Sequence, residues 1–283
     1  MRPVLVVTLS MSFAALADPV VETWVRGDKH RPVVDLAKAP QTEVTRKDAQ
    51  TGATQTFRGV TLESLIQQAA PAPALDLVVL HFRNGMVVPL PFRDDTALKA
   101  LDPLIALATK SEDRWTPRFP PLVKKDSGVR DTRPITFEGN KLVVASLAHP
   151  FQPGAVEEAS PWQHVDSLTG LEFAVASAWN AQFSAGDAAP LKEGQRVYLA
   201  RCQFCHGVKR VGASFGWDLL DPIPITELRT SKSLTLHVRA REGDAPEKGL
   251  MMPALRDVTE AQVASFWKWV AALAKKGPAS YRP

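Results

Sequence analysis

The chain of 283 residues contains only two cysteines, and both stand in one short run, Cys202-Gln203-Phe204-Cys205-His206. That spacing fixes the local backbone. Two thiols three positions apart at the end of a helix share one turn, and the next residue sets an imidazole beside them. A thioredoxin-type redox pair would want a β-α-β setting and needs no following histidine. A zinc site would need two further Cys or His ligands at compatible spacing, and none is visible. A structural disulfide is the third alternative. The C-x-x-C-H pattern instead meets the demands of covalent haem attachment, in which each thiol adds to one vinyl group of a single porphyrin and the histidine is directed at the iron. One haem c, attached at Cys202 and Cys205 and ligated by His206, is therefore the expected cofactor.

The flanks agree with this reading. Gly194, Val197, Tyr198 and Arg201 follow helical spacing and lead into the motif. Farther on, Thr259 can cap a helix whose apolar positions Val263, Phe266, Trp267, Val270, Ala271 and Ala274 form one face. A glycine at 194 would let this second helix cross at close range, with an aromatic such as Trp267 covering the contact beside the haem. With a later Met-Pro pair, the segment from about Leu191 to Ala274 resembles the class I cytochrome c family, although 207–220 lacks the G-x-G-P pattern many members carry. The resemblance implies an all-α domain over 191–283 that transfers electrons. It also implies a methionine as sixth iron ligand. In Gly249-Leu250-Met251-Met252-Pro253 the residue before proline is Met252, the expected ligand; Met251 and His237 are the alternatives.

At the other end, Arg2 precedes an apolar run from Val4 to Phe13, and Ala15-Leu16-Ala17 gives the small-x-small pattern of a cleavage site. The run is shorter than the ~20 residues of a spanning helix. Residues 1–17 are thus expected to be a signal peptide cleaved after Ala17, with the mature chain in the periplasm and without a membrane span.

Residues 18–178 read as β-rich with a few helices. Leu77–Phe82 and Met86–Leu90 flank Asn84-Gly85, a strong hairpin signal, and Ile135–Phe137 and Lys141–Val144 flank Gly139-Asn140 in the same way. A helix is expected from Thr61 to Ala69, capped by Thr61. The run Phe57 to Ile66, the strand pair around Asn84-Gly85 and the stretch Trp162 to Phe173 resemble the molybdopterin-binding oxidoreductase domain of the sulfite oxidase fold. That family holds molybdenum through a cysteine thiolate, whereas both cysteines here belong to the C-x-x-C-H motif. The resemblance therefore implies a fold, and molybdopterin is not expected. His30, His81, His149 and His164 show no metal-ligand spacing, Trp115 is assigned to a surface loop, and 179–190 reads as a polar linker.

The expected fold class is α+β in two domains. With 34 Lys and Arg against 30 acids in no long run, the net charge of +4 gives no footprint for nucleic acid. The expected role is outer-sphere electron transfer, as the haem subunit or dedicated acceptor of a periplasmic dehydrogenase, with a redox protein as partner and no catalytic residues. A haem enzyme or gas sensor with an open sixth position is the alternative.

Overall fold

The computed structural model describes residues 20–48, 50–93, 95–117, 119, 136–145, 160–239 and 255–276. The expected signal peptide, His149, Met251 and Met252 lie outside the described residues.

The architecture is mixed α/β and contains two five-stranded sheets. In the first, the order is β2 (Val33–Asp35), β1 (Val20–Val25), β10 (Leu168–Ala174), β5 (Leu77–Phe82) and β6 (Val87–Pro91). β5 explains how the molecule is layered. Its sequence LVVLHF has no polar alternation because both of its faces are covered. Val78, Leu80 and Phe82 enter one core, shared with Val60, Ile105 and Trp162; Leu77 and Val79 enter a second core, shared with Trp179, Tyr198 and Trp269. Period two thus splits one strand between two cores.

The second sheet runs β3 (Thr42–Lys47), β4 (Thr54–Thr61), β7 (Leu104–Ser111) and β8 (Arg114–Thr116), with β9 (Lys141–Val143) also on β7. Helix α1 (Leu62–Ala69) follows β4 directly, and Thr61 caps it by accepting the Ser64 N–H at 3.1 Å. The Asn84-Gly85 hairpin forms between β5 and β6, and Gly85 takes φ +86°. The other expected hairpin does not form within the described residues: Thr136 and Phe137 carry no strand, and β9 pairs with β7 instead. Asn140 accounts for this, since its amide and carbonyl oxygen bond Leu168 O and N at 3.0 and 2.9 Å and tie the turn to β10. Trp115 sits in β8 rather than in a loop, under the Arg58 guanidinium at 4.1 Å.

Between residues 174 and 190 the chain is packed, not solvated. After α2 (Asp95–Leu101) and β10 comes α3 (Ala176–Ala181), and Trp179 and Phe183, within the stretch expected as a linker, are each 1% exposed. Helix α4 (Ala189–Val197) then passes into a π-helical turn, Tyr198–Cys202. A two-residue antiparallel ladder, β11 (Gly207–Val208) with β12 (Val211–Gly212), interrupts the helical C-terminal stretch before α5 (Ile225–Leu228), α6 (Ser231–Arg239) and α7 (Glu260–Lys275). Thr259 and Gln262 form a capping box at the start of α7. A Cβ on Gly194 would lie 2.4 Å from Ser265 O and Trp269 Cβ, so α4 and α7 cross in contact there. The aromatic that covers this crossing is Trp269, fully buried and stacked on Tyr198 at 5.0 Å; Trp267 is half-buried and donates its indole N–H to Arg229 O at 3.1 Å. The face of α7 is rotated from the expected one because its deepest contact is the glycine of α4. Among the described residues no helix is long and apolar enough to cross a membrane.

Candidate functional site

The π turn delivers the motif. An i to i+5 bond from Gln203 N–H to Tyr198 O at 3.0 Å widens the helix by one residue just before Cys205. The following turn closes tightly, with the Cys205 and His206 N–H groups both donating to Cys202 O at 3.1 and 2.9 Å. Tyr198, buried between Phe183 and Trp269, donates its hydroxyl to His206 O at 3.0 Å and fixes the backbone of the histidine. Burial pushes the Tyr198 phenol well above its ordinary range, so it stays a donor at any physiological pH.

The motif lies on the seam between the two cores. Cys202 packs against the core of Tyr198 and Trp269, and Cys205 against the core of Met86 and Trp162. Burial pushes the Cys202 thiol up to about 12, with Cys205 beside it adding to the effect, and pushes the Cys205 thiol up to about 12 as well. The two residues between the cysteines are buried too, Gln203 at 2% and Phe204 at 3% exposure. Gln203 Oε1 accepts the Trp179 indole N–H at 3.2 Å. Phe204 O accepts the Val87 N–H at 3.1 Å.

His206 has one defined tautomer. Its Nδ1 is 2.7 Å from the carbonyl oxygen of Trp217. A carbonyl only accepts, so Nδ1 carries the proton and Nε2 keeps its lone pair. Burial lowers the imidazole pKa, partly opposed by the Trp217 carbonyl and Asp218, and the ring is neutral at neutral pH. A neutral imidazole with Nδ1–H tied to a carbonyl and Nε2 free is the form that ligates a metal. Downstream of the motif, Trp217, Ile223, Leu228 and Leu236 are 81%, 47%, 51% and 66% exposed, whereas Val20 and Val33 are the other large exposed apolar side chains among the described residues. A cleft lined by Leu228, Arg229, Ser231 and Trp267 opens in the same stretch.

These features fit haem: two thiols on one turn, a ligating tautomer beside them, and apolar side chains downstream that water would otherwise cover. Met252, the expected sixth ligand, lies outside the described residues. His237 sits in the last turn of α6 and is half-buried. Among the N-terminal histidines, His81 bonds Glu172 at 2.9 Å and stacks near Trp24 at 4.9 Å, a structural arrangement. Sequence spacing identified Cys202, Cys205, His206, Gly194 and Tyr198 but not Trp217, because its contribution is a backbone carbonyl that any residue type could supply. Gly216 carried the one available signal, since a Cβ there would lie 2.5 Å from His206 Cε1. No protein-family model matches the chain, and no curated protein matches it.

Proposed function

We propose that the chain is an exported mono-haem c-type cytochrome that transfers electrons, with a β-rich domain over 18–178 and a class I cytochrome c domain over 191–283. The observation that carries this reading is His206, held in the Nδ1–H tautomer by Trp217 O at the end of a C-x-x-C turn. Haem, when bound, supplies a one-electron iron couple. Cys202 and Cys205 would hold it covalently, His206 would ligate it through Nε2, and Met252 would be the second protein ligand. The protein's own groups do the rest: Tyr198 fixes the His206 backbone, Trp217 O fixes its ring, and Gln203 and Phe204 pin the turn against the sheet. With His206 and Met252 both ligating iron, substrate chemistry there would be blocked and transfer would be outer-sphere. The β-rich domain, which resembles the sulfite oxidase fold but lacks a cysteine for molybdenum, suits docking on a redox protein, a periplasmic dehydrogenase or its acceptor.

The test is retention of haem by denatured protein produced with a haem-maturation system. Wild-type chain is expected to keep a haem-dependent peroxidase stain through denaturing electrophoresis, and Cys202→Ser with Cys205→Ser to lose it. A wild-type band without stain would overturn the covalent assignment.

A further inference from the structure

The turn of the β5–β6 hairpin is held from two sides. On the side of its own domain, Asn84 donates its N–H to Asp166 Oδ1 at 3.1 Å and its amide to His164 O at 2.8 Å, and Arg83 Nε donates to Asp166 Oδ2 at 3.2 Å. Asp166 is 5% exposed, so this anchor is an interior one. On the other side, Gly85 O accepts the Ser214 N–H at 2.8 Å. The two backbones touch: a Cβ on Gly85 would lie 2.6 Å from Ser214 Oγ and 3.0 Å from Phe215 N.

Two residues beyond Ser214 the same strand of chain reaches the motif. Gly216 donates its N–H to Cys205 O at 2.7 Å, and Trp217 O takes the His206 Nδ1–H at 2.7 Å. Residues 214–217 therefore form a strap with one end on the hairpin and the other on the imidazole. Val87 N–H on Phe204 O ties the motif to β6 of the same hairpin, but Trp179 on Gln203 and Tyr198 on His206 O hold it from elements outside the hairpin. If the tip of the turn shifts the strap, the His206 backbone, held by Tyr198, does not follow, and the bond between His206 and Trp217 changes length or angle.

Resting on the haem reading above, we propose that the Asn84-Gly85 turn is a positioning element for His206, through which the β-rich domain sets the reduction potential of the haem. The physical link is the strength of the Nδ1–H bond. A strong bond to a carbonyl pushes electron density toward Nε2, makes the imidazole a better donor, favours the oxidised metal and lowers the potential. A displaced strap weakens the bond and raises the potential.

The experiment uses the full chain loaded with haem and reads the midpoint potential by spectroelectrochemical titration. Gly85→Ala forces a Cβ into Ser214 and is expected to raise the potential; Asn84→Ala frees the turn from His164 and is expected to raise it less. Thr61→Ala, which removes the α1 cap far from the strap, serves as the control for general destabilisation and is expected to leave the potential unchanged. If Gly85→Ala does not fold, Asn84→Ala against Thr61→Ala decides. Covalently attached haem with an unchanged potential in the hairpin variants, or with an equal shift in Thr61→Ala, overturns the proposal alone. A wild-type chain that retains no haem on denaturation overturns the haem reading together with it.

Discussion

Val87 donates its backbone N–H to the carbonyl of Phe204 at 3.1 Å, so one of the two residues between the motif cysteines occupies an outward donor of β6, the edge strand of its sheet. An edge strand needs cover, and here the C-x-x-C-H turn gives it. The N-terminal sheet and the C-terminal helices are consequently joined through the motif itself, with Phe204 inserted into the core that also holds Met86, Leu80 and Trp162.

A fragment beginning at Ala185 is expected to be much less stable than the full chain. Composition alone would place that cut in a polar linker, but it removes Trp179 and Phe183, both 1% exposed, and uncovers Phe204. Truncating one buried aromatic costs about 3–5 kcal/mol. A loss of only 3 kcal/mol from a domain of this size lowers the melting temperature by about 12 °C or more. Thermal melts of both chains, followed by circular dichroism, check this; equal melting temperatures would show that the seam contributes nothing.

Gly194→Ala is expected to destabilise the fold by about 1–3 kcal/mol through overpacking. Alanine is the better helix former by up to about 1 kcal/mol, so on an isolated helix the sign would be reversed. The crossing decides, because the new Cβ would meet Ser265 O and Trp269 Cβ at 2.4 Å, and neither atom belongs to a flexible side-chain end. A urea midpoint that rises in the variant would mean α4 and α7 do not cross at this glycine.

The parts of the fold legible in the sequence are those governed by local rules: the Thr61 and Thr259 caps, the Asn84-Gly85 turn and the helix carrying Gly194 and Tyr198 all stand where their side-chain chemistry requires. The departures have long-range causes. Lys141–Val143 left its expected hairpin because Asn140 is bound to Leu168, 28 residues away. Residues 179–190 read as a linker because they contain Gly186, Asp187 and Pro190, while the two aromatic rings that decide its packing, Trp179 and Phe183, give a single i, i+4 pair and no longer repeat. In the candidate site, the side-chain pattern was legible and the backbone contacts were not: Cys202, Cys205 and His206 carry a motif, whereas Trp217 O and Phe204 O depend on how distant segments meet.

The thiols of haem-free chain are expected to resist alkylation. Burial holds Cys202 and Cys205 up at about 12, against about 8.5 in an unfolded chain. At pH 8 the thiolate fraction, and with it the rate of reaction with iodoacetamide, should be lower in the folded state by roughly a thousandfold. The same shift sets the sign for stability. Folding favours the protonated thiols, so their contribution is complete below the unfolded pKa and is lost as pH rises from there toward 12. Alkylation followed by mass spectrometry with and without urea, and urea melts between pH 7 and 11, measure both; fast labelling of folded chain at pH 8 would contradict the buried setting of the motif.

In the proposed haem site, the second protein ligand would decide whether the iron is closed to small molecules. With Met252 as the sixth ligand, oxidised protein is expected to show the weak near-infrared sulfur-to-iron charge-transfer band, and Met252→Ala to abolish it. The same substitution should lower the potential, because a soft thioether favours ferrous iron, and should let carbon monoxide bind the reduced protein. Met251→Ala is expected to change neither. Loss of the band in Met251→Ala instead would shift the ligand by one residue and leave electron transfer as the function. Loss of the six-coordinate spectrum only in His237→Ala would make the site bis-histidine, with a low potential. A five-coordinate spectrum in wild type, with carbon monoxide binding unaffected by all three substitutions, would replace electron transfer with chemistry or gas sensing at an open iron.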